Sequence, residues 1–177
     1  MKEIPMKPIS LPAVLLALAL GPGAAGAQVR NSGYDLPVAL AVEAATAALK
    51  ACETTGYKVS VAVVDSSGET RAFLKGDHAT VHTRETSFRK AYTTVTLGPV
   101  FGFDALGAFV EKARASPVAA SFLTVPNIIL LPGAVAIRAK GEIVAAVGVG
   151  GAPGGEKDEA CAAAGAAAIK TRLPAAN

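Results

Sequence analysis

Both histidines of the chain, His78 and His82, fall within residues 77–96. Wound as a helix, this stretch sets His82, Glu85, Thr86, Arg89 and Thr93 on one face, because residues three, four and seven apart align at 3.6 residues per turn. Val81, Phe88, Ala91 and Val95 take the opposite face, so one side can rest on a core while the other offers an imidazole, a carboxylate, hydroxyls and a guanidinium. A neutral imidazole is a common ligand of metal ions and of haem iron, which makes His82 the candidate axial ligand. His78 falls in the loop before the helix and ranks second. Arg89, two turns on, can pair with a carboxylate such as a haem propionate. Tyr92 can offer a ring contact, whereas Phe88 belongs with the core. A second chemistry is open to the same face: Glu85 and His82 could move a proton while Arg89 holds a small carboxylic acid. A plain solvated helix surface is the ordinary alternative.

Other constellations are few. No Gly-x-Ser-x-Gly elbow and no phosphate-binding loop of the GxxxxGK type occurs. The run 150–155 is rich in glycine and opens onto a helix, where backbone N–H groups could hold an anion, although Glu156, Asp158 and Glu159 follow directly. Cys52 and Cys161 are the two cysteines; a disulfide and two buried thiols are both open, and the absence of a Cys-x-x-Cys pair argues against a metal site.

The elements that must carry these residues read as helices flanking hairpins. Residues 35–55 form a helix with Asp35 at its start, Pro37 in the first turn, Gly56 past its end, and an apolar stripe of Leu40, Ala41, Ala44, Ala45, Ala48, Leu49 and Cys52. Residues 58–65 and 70–75 form a hairpin across a turn at 66–69. A short helix is expected over 104–115, with Leu106, Phe109, Val110 and Ala113 inward. Residues 116–137 are uncharged but broken by Pro117, Pro126 and Pro132, which predicts a buried loop and strand rather than a membrane span. A strand is expected over 127–131. Residues 134–139 and 142–149 flank Lys140-Gly141 as a second hairpin. A last helix starts near Glu156, with Ala160, Cys161, Ala164, Ala168 and Ile169 inward. Hairpins imply an antiparallel sheet, and the helices an α+β layering. The first and last helices are then neighbours on that sheet.

The start of the chain has another purpose. Lys2 and Lys7 precede an apolar run over 9–20, and 25–27 is Ala-Gly-Ala. This order predicts a secretory signal peptide over 1–27, cut between Ala27 and Gln28, and a periplasmic or secreted protein with no later membrane span. One domain is expected over 28–177, with 15 basic and 13 acidic residues. No basic run or aromatic-basic interleaving appears, which argues against a nucleic-acid partner.

Three stretches together resemble one family. They are 59–68 (Val-Ser-Val-Ala-Val-Val-Asp-Ser-Ser-Gly), 82–93 from His82 to Thr93, and 141–161 with its glycine-rich centre. The chain is similar to the GlcG/HbpS-like haem-binding family, whose domain also occurs at the C-terminus of PduO-type corrinoid adenosyltransferases. The resemblance implies a profilin-like α+β sandwich, self-association into dimers or larger homo-oligomers, and haem or a related tetrapyrrole as ligand. Histidine or threonine serves as axial ligand in different members. Carried onto this chain, it points to the polar helix, with His82 on the iron and His78, Glu85, Thr86, Arg89 and Tyr92 around the cofactor. Where members show Gly-Val-Ser-Gly-Ala, this chain has Gly148-Val149-Gly150-Gly151-Ala152. The implied role is haem storage, trafficking or sensing, by a binding protein rather than an enzyme.

Overall fold

The computed structural model describes residues 32–176, so the signal segment expected over 1–27 lies outside the described residues. Helix α1 spans Val38–Thr54 and is followed by a hairpin of β1, Ser60–Asp65, and β2, Thr70–Lys75. Then come α2, Thr83–Phe101, α3, Leu106–Arg114, and a single turn α4, Ala119–Phe122. The second hairpin pairs β3, Ala134–Ala139, with β4, Glu142–Gly150. Helix α5, Gly155–Ile169, closes the chain with a short 3-10 turn, Lys170–Arg172. The sheet is antiparallel in the order β2-β1-β4-β3, and the expected α+β class holds. Lys140 and Gly141 both have positive φ, 52° and 79°, as a two-residue hairpin turn requires.

Helices α1 and α5 cover one face of the sheet, and α2 lies across the other. The central strands β1 and β4 are therefore covered on both sides, which is why they read as Val, Ala and Gly with little alternation. On the first face, the predicted stripe of α1 meets α5, with Ala41, Ala44, Ala45, Ala48 and Cys52 fully buried. Small residues let the two helices touch: a Cβ on Gly165 would come within 2.5 Å of the Ala44 carbonyl oxygen. Cys52 and Cys161 are joined as a disulfide with Cα atoms 5.5 Å apart, which closes a sequence separation of 109. The inner face of α5 is Asp158, Cys161, Ala162, Gly165 and Ile169; Ala160, Ala164 and Ala168 are exposed. The expected face was turned because alanine occupies both sides of this helix and so carries no phase.

On the second face, α2 sits almost on the backbone of β4. A Cβ on Gly148 would meet the Ser87 carbonyl oxygen at 2.2 Å, and one on Gly150 would meet Thr86 Oγ1 at 2.5 Å. With so little room, the buried face of α2 is mostly small and polar: Thr83, Ser87, Lys90, Ala91, Thr93, Thr94, Val95 and Gly98. Thr93, expected on the outward face, is fully buried under the 127–131 loop. Ala91 and Val95 are buried as expected and Phe88 packs half-buried against their cluster, but Val81 is 91% exposed, because the helix begins only at Thr83. At its other end α2 runs past the 77–96 stretch through Pro99 to Phe101, and is ended by Gly102 at φ 66°.

The strand expected over 127–131 is a loop. Asn127 takes φ 65°, and the segment is tied to α2 by Arg89 and Thr93 rather than to a strand. The segment 116–131 is mostly surface, with Ile128 its buried residue, and its Phe122 packs edge-on against the rings of Phe101 and Phe109.

Candidate functional site

Helix α2 positions the expected site residues, but in two groups. His82 is the N-cap residue, exposed, with its Nδ1 3.2 Å from Thr80 Oγ1. His78 is exposed in the preceding turn at φ 62°, apart from the helix. Glu85 stands exposed in the first turn and has no partner among the described residues. Thr86 turns back on the helix and donates to the His82 carbonyl at 3.2 Å. Arg89 donates through one guanidinium nitrogen to the Ile128 carbonyl at 2.6 Å, and Thr93 Oγ1 accepts the Ile129 N–H at 2.9 Å. Arg89 and Thr93 thus hold a loop, which commits one edge of the cation that was to meet a carboxylate. The Tyr92 ring lies tilted against Phe88, with centroids 5.7 Å apart, and covers Gly68 in the β1–β2 turn.

The outward side of α2 is accordingly a strip in which Glu85, Phe88, Arg89 and Tyr92 follow one another, with His82 and Val81 at its head. Thr80 was missed in the sequence. Its signal is the Thr-x-His spacing before a helix start, where a hydroxyl can steady an imidazole. With the proton on Nδ1 and donated to Thr80, Nε2 keeps its lone pair, the arrangement that orients a metal-binding histidine. Arg84 was also missed; it is exposed on the same first turn and has no ion-pair partner.

Among the described residues no group of three or more His, Cys, Asp or Glu side chains converges on a metal position. A bare ion therefore finds no cage here. A metalloporphyrin asks less of the protein, because its own ring supplies four nitrogens and one axial donor suffices. An accessible Nε2, half-exposed rings at Phe88 and Tyr92, and a free cation at Arg84 fit that group.

Beneath the strip lies a buried ion pair that the sequence did not disclose. Lys90 Nζ is 2.7 Å from Asp158 Oδ2 and 3.0 Å from the Val149 carbonyl oxygen. Asp158 Oδ1 also accepts the Ala152 N–H at 2.9 Å. Burial pushes the Asp158 carboxyl above the usual carboxylate range, against the opposing pull of Lys90 and the backbone donors. Its neighbour Glu159 accepts the N–H groups of Gly107 and Gly133 at 2.7 and 3.2 Å. These carboxylates staple the loops around α5. The first turn of α5 closes on the Gly154 carbonyl, which accepts the Lys157 and Asp158 N–H groups. The glycine-rich loop serves turns and close approach: Gly151 and Gly154 have positive φ, and a Cβ on Gly151 would lie 2.5 Å from the Lys58 carbonyl oxygen.

Comparison with known proteins gives a consistent result. The family model described as haem degrading protein HbpS-like matches residues 36–167. The crystal structure of HbpS is 36% identical, over 79% of this chain and 94% of that one, with a TM-score of 0.69. A double mutant of HbpS from Streptomyces reticuli is 33% identical, over 92% of this chain and 99% of that one, with a TM-score of 0.70. The haem complex of PduOC, 20% identical over 77% of this chain and 96% of that one, shares the fold at a TM-score of 0.65. No curated protein matches significantly.

Proposed function

The chain belongs to the HbpS-like family, and on that premise we propose that it binds haem on the outward strip of α2, with His82 as axial ligand. The observation that carries this reading is the exposed His82 imidazole beside Thr80 Oγ1 at the head of that strip. Bound haem would supply an iron centre able to take up ligands or electrons. The protein's own part is to donate Nε2 of His82, to steady that ring through Thr80, and to lay Phe88 and Tyr92 against the macrocycle. Arg84, with the free edge of Arg89, pairs with the propionates. His78, Glu85 and Thr86 border the strip. The strip is open to solvent, so a second copy of the chain covers the haem, and the working form is a homo-oligomer.

Export completes the proposal. Residues 1–27 direct the chain to the periplasm or outside the cell, where the Cys52–Cys161 disulfide is at home, and where the protein stores or passes on haem. The N-terminal sequence of exported protein should begin at Gln28.

The test is a hemin titration followed by absorbance. The wild-type protein is expected to give a saturable Soret band at one haem per chain or per dimer, and His82→Ala to weaken it strongly. A band unchanged in His82→Ala refutes histidine ligation from α2, and a linear, unsaturating response refutes the site. The small-acid alternative predicts thermal stabilisation by small carboxylates that is lost in Arg89→Ala.

A further inference from the structure

A second site lies on the other face of the sheet, away from α2. Edge strand β3 and the end of α5 enclose an open groove of about 340 Å³. This falls at the lower end of the volumes that hold small organic ligands, ~300–1,000 Å³. Val135 and Ile137 of β3, Ala163, Ala166 and Ala167 of α5, and Leu173 make its walls. Three charged residues stand at its rim: Asp104, Arg138 and Lys170. Arg138 is already used, through Nε to Asp104 Oδ1 at 2.7 Å and through a guanidinium nitrogen to the Gly141 carbonyl at 2.7 Å. Lys170 is exposed and has no partner among the described residues. The groove therefore combines an apolar trough with one cation that no described carboxylate neutralises.

The backbone makes this trough permanent. The outer edge of β3 is bridged at Ala136, whose N–H donates to the Asp104 carbonyl, and at Lys140, whose N–H donates to the Pro174 carbonyl. The groove lies between these two clamps, too short a gap for another strand to pair but open to a small molecule. His, Tyr, Cys and Met are absent from its lining, unlike the strip on α2.

We infer that this groove binds one amphipathic organic monocarboxylate, of the class of a medium-chain fatty acid, with its chain along β3 and α5 and its carboxylate on Lys170. The charge count selects this class. Asp104 and Arg138 cancel, which leaves Lys170 to accept a single negative charge and disfavours amines. The apolar walls reward chain length, by up to about fourfold in affinity for each methylene fully buried.

The experiment is a titration of the protein with octanoate, hexanoate and octylamine, followed by calorimetry and by the thermal midpoint. Octanoate should bind at one per chain, several-fold more tightly than hexanoate, and octylamine should not bind. Lys170→Gln should weaken octanoate about fivefold, the effect of one partly exposed ion pair. Ala167→Phe, at an exposed position of α5, should fill the trough and abolish binding while the circular dichroism and thermal midpoint of the free protein stay near wild type. Hemin and octanoate should bind independently. Equal octanoate binding by both variants, no binding by the wild type, or competition with hemin would each overturn the assignment.

Discussion

Replacing Lys90 with methionine tests the account of how α2 is fastened. Lys90 and Asp158 are only 4% and 3% exposed, and their charged atoms are 2.7 Å apart. Methionine keeps most of the volume but leaves the Asp158 carboxylate buried without its cation. Breaking a buried pair in this way costs about 3–5 kcal/mol, a large part of the ~5–15 kcal/mol that holds a domain folded. The loss should depend on pH, and its sign follows from the carboxyl. Burial already raises its pKa above 3.8, and Lys90 lowers it. Without Lys90 the folded-state pKa climbs further, so the carboxyl takes up a proton more readily when folded than when unfolded. The deficit is therefore full above that raised pKa and shrinks as pH falls through it. Urea unfolding with the disulfide intact should show the larger loss at pH 8 and a smaller one near pH 4. The double variant Lys90→Met/Asp158→Leu should lose only about 1–3 kcal/mol, the cost of leaving the Ala152 N–H without its acceptor. The two single losses would then fall far short of additivity. A deficit that is flat with pH, or a double variant as unstable as the sum of the singles, refutes the reasoning.

Other outcomes follow from the same contacts. Gly148→Ala should destabilise the fold by more than about 1–3 kcal/mol, the usual overpacking range, since its Cβ would lie 2.2 Å from a carbonyl oxygen; equilibrium unfolding measures it. Reduction of Cys52–Cys161, or a Cys52→Ala/Cys161→Ala pair, should cost about 4–5 kcal/mol for a loop of this length, read as a lower urea midpoint. Thr93→Val should remove the acceptor of the Ile129 N–H and loosen the 127–131 loop, seen as faster amide exchange there while the sheet keeps its protection.

The parts of the fold that could be read in the sequence are those where side-chain chemistry repeats with the period of the element. The valines of β1, the Lys140-Gly141 turn and the alanine stripe of α1 each carry their own geometry, and all appear as expected. Helix α2 was misread for the opposite reason. Its buried face joins Thr83, Ser87, Lys90, Thr93 and Thr94 to Ala91 and Val95, so hydrophobic periodicity finds only part of it, and only the glycines of β4, some 60 residues on, explain the rest. Val81 looked like core by spacing, but its helix had not yet begun. The cysteine spacing was silent about pairing, which depends on α1 and α5 meeting across the sheet. His82 was visible as a candidate by residue type alone. Its support from Thr80 and the loop duty of Arg89 are tertiary facts that no local pattern carries.

The way α2 meets β4 bears on how such a domain can change its ligand. The helix is positioned from behind, by Ser87 and Thr86 against Gly148 and Gly150 and by Lys90 against Asp158 and the Val149 carbonyl. None of those contacts involves Glu85, which is exposed and can change while the helix keeps its place. Phe88, half-buried against Ala91 and Val95, Arg89, which holds the Ile128 carbonyl, and Tyr92, which lies over Gly68, each tie recognition on the strip to packing. Gly150 is different: the family resemblance sets a serine at this position, and here its Cβ would lie 2.5 Å from Thr86 Oγ1. Positions 86 and 150 should vary together across relatives, a larger residue at one matched by a smaller residue, or a more distant helix, at the other.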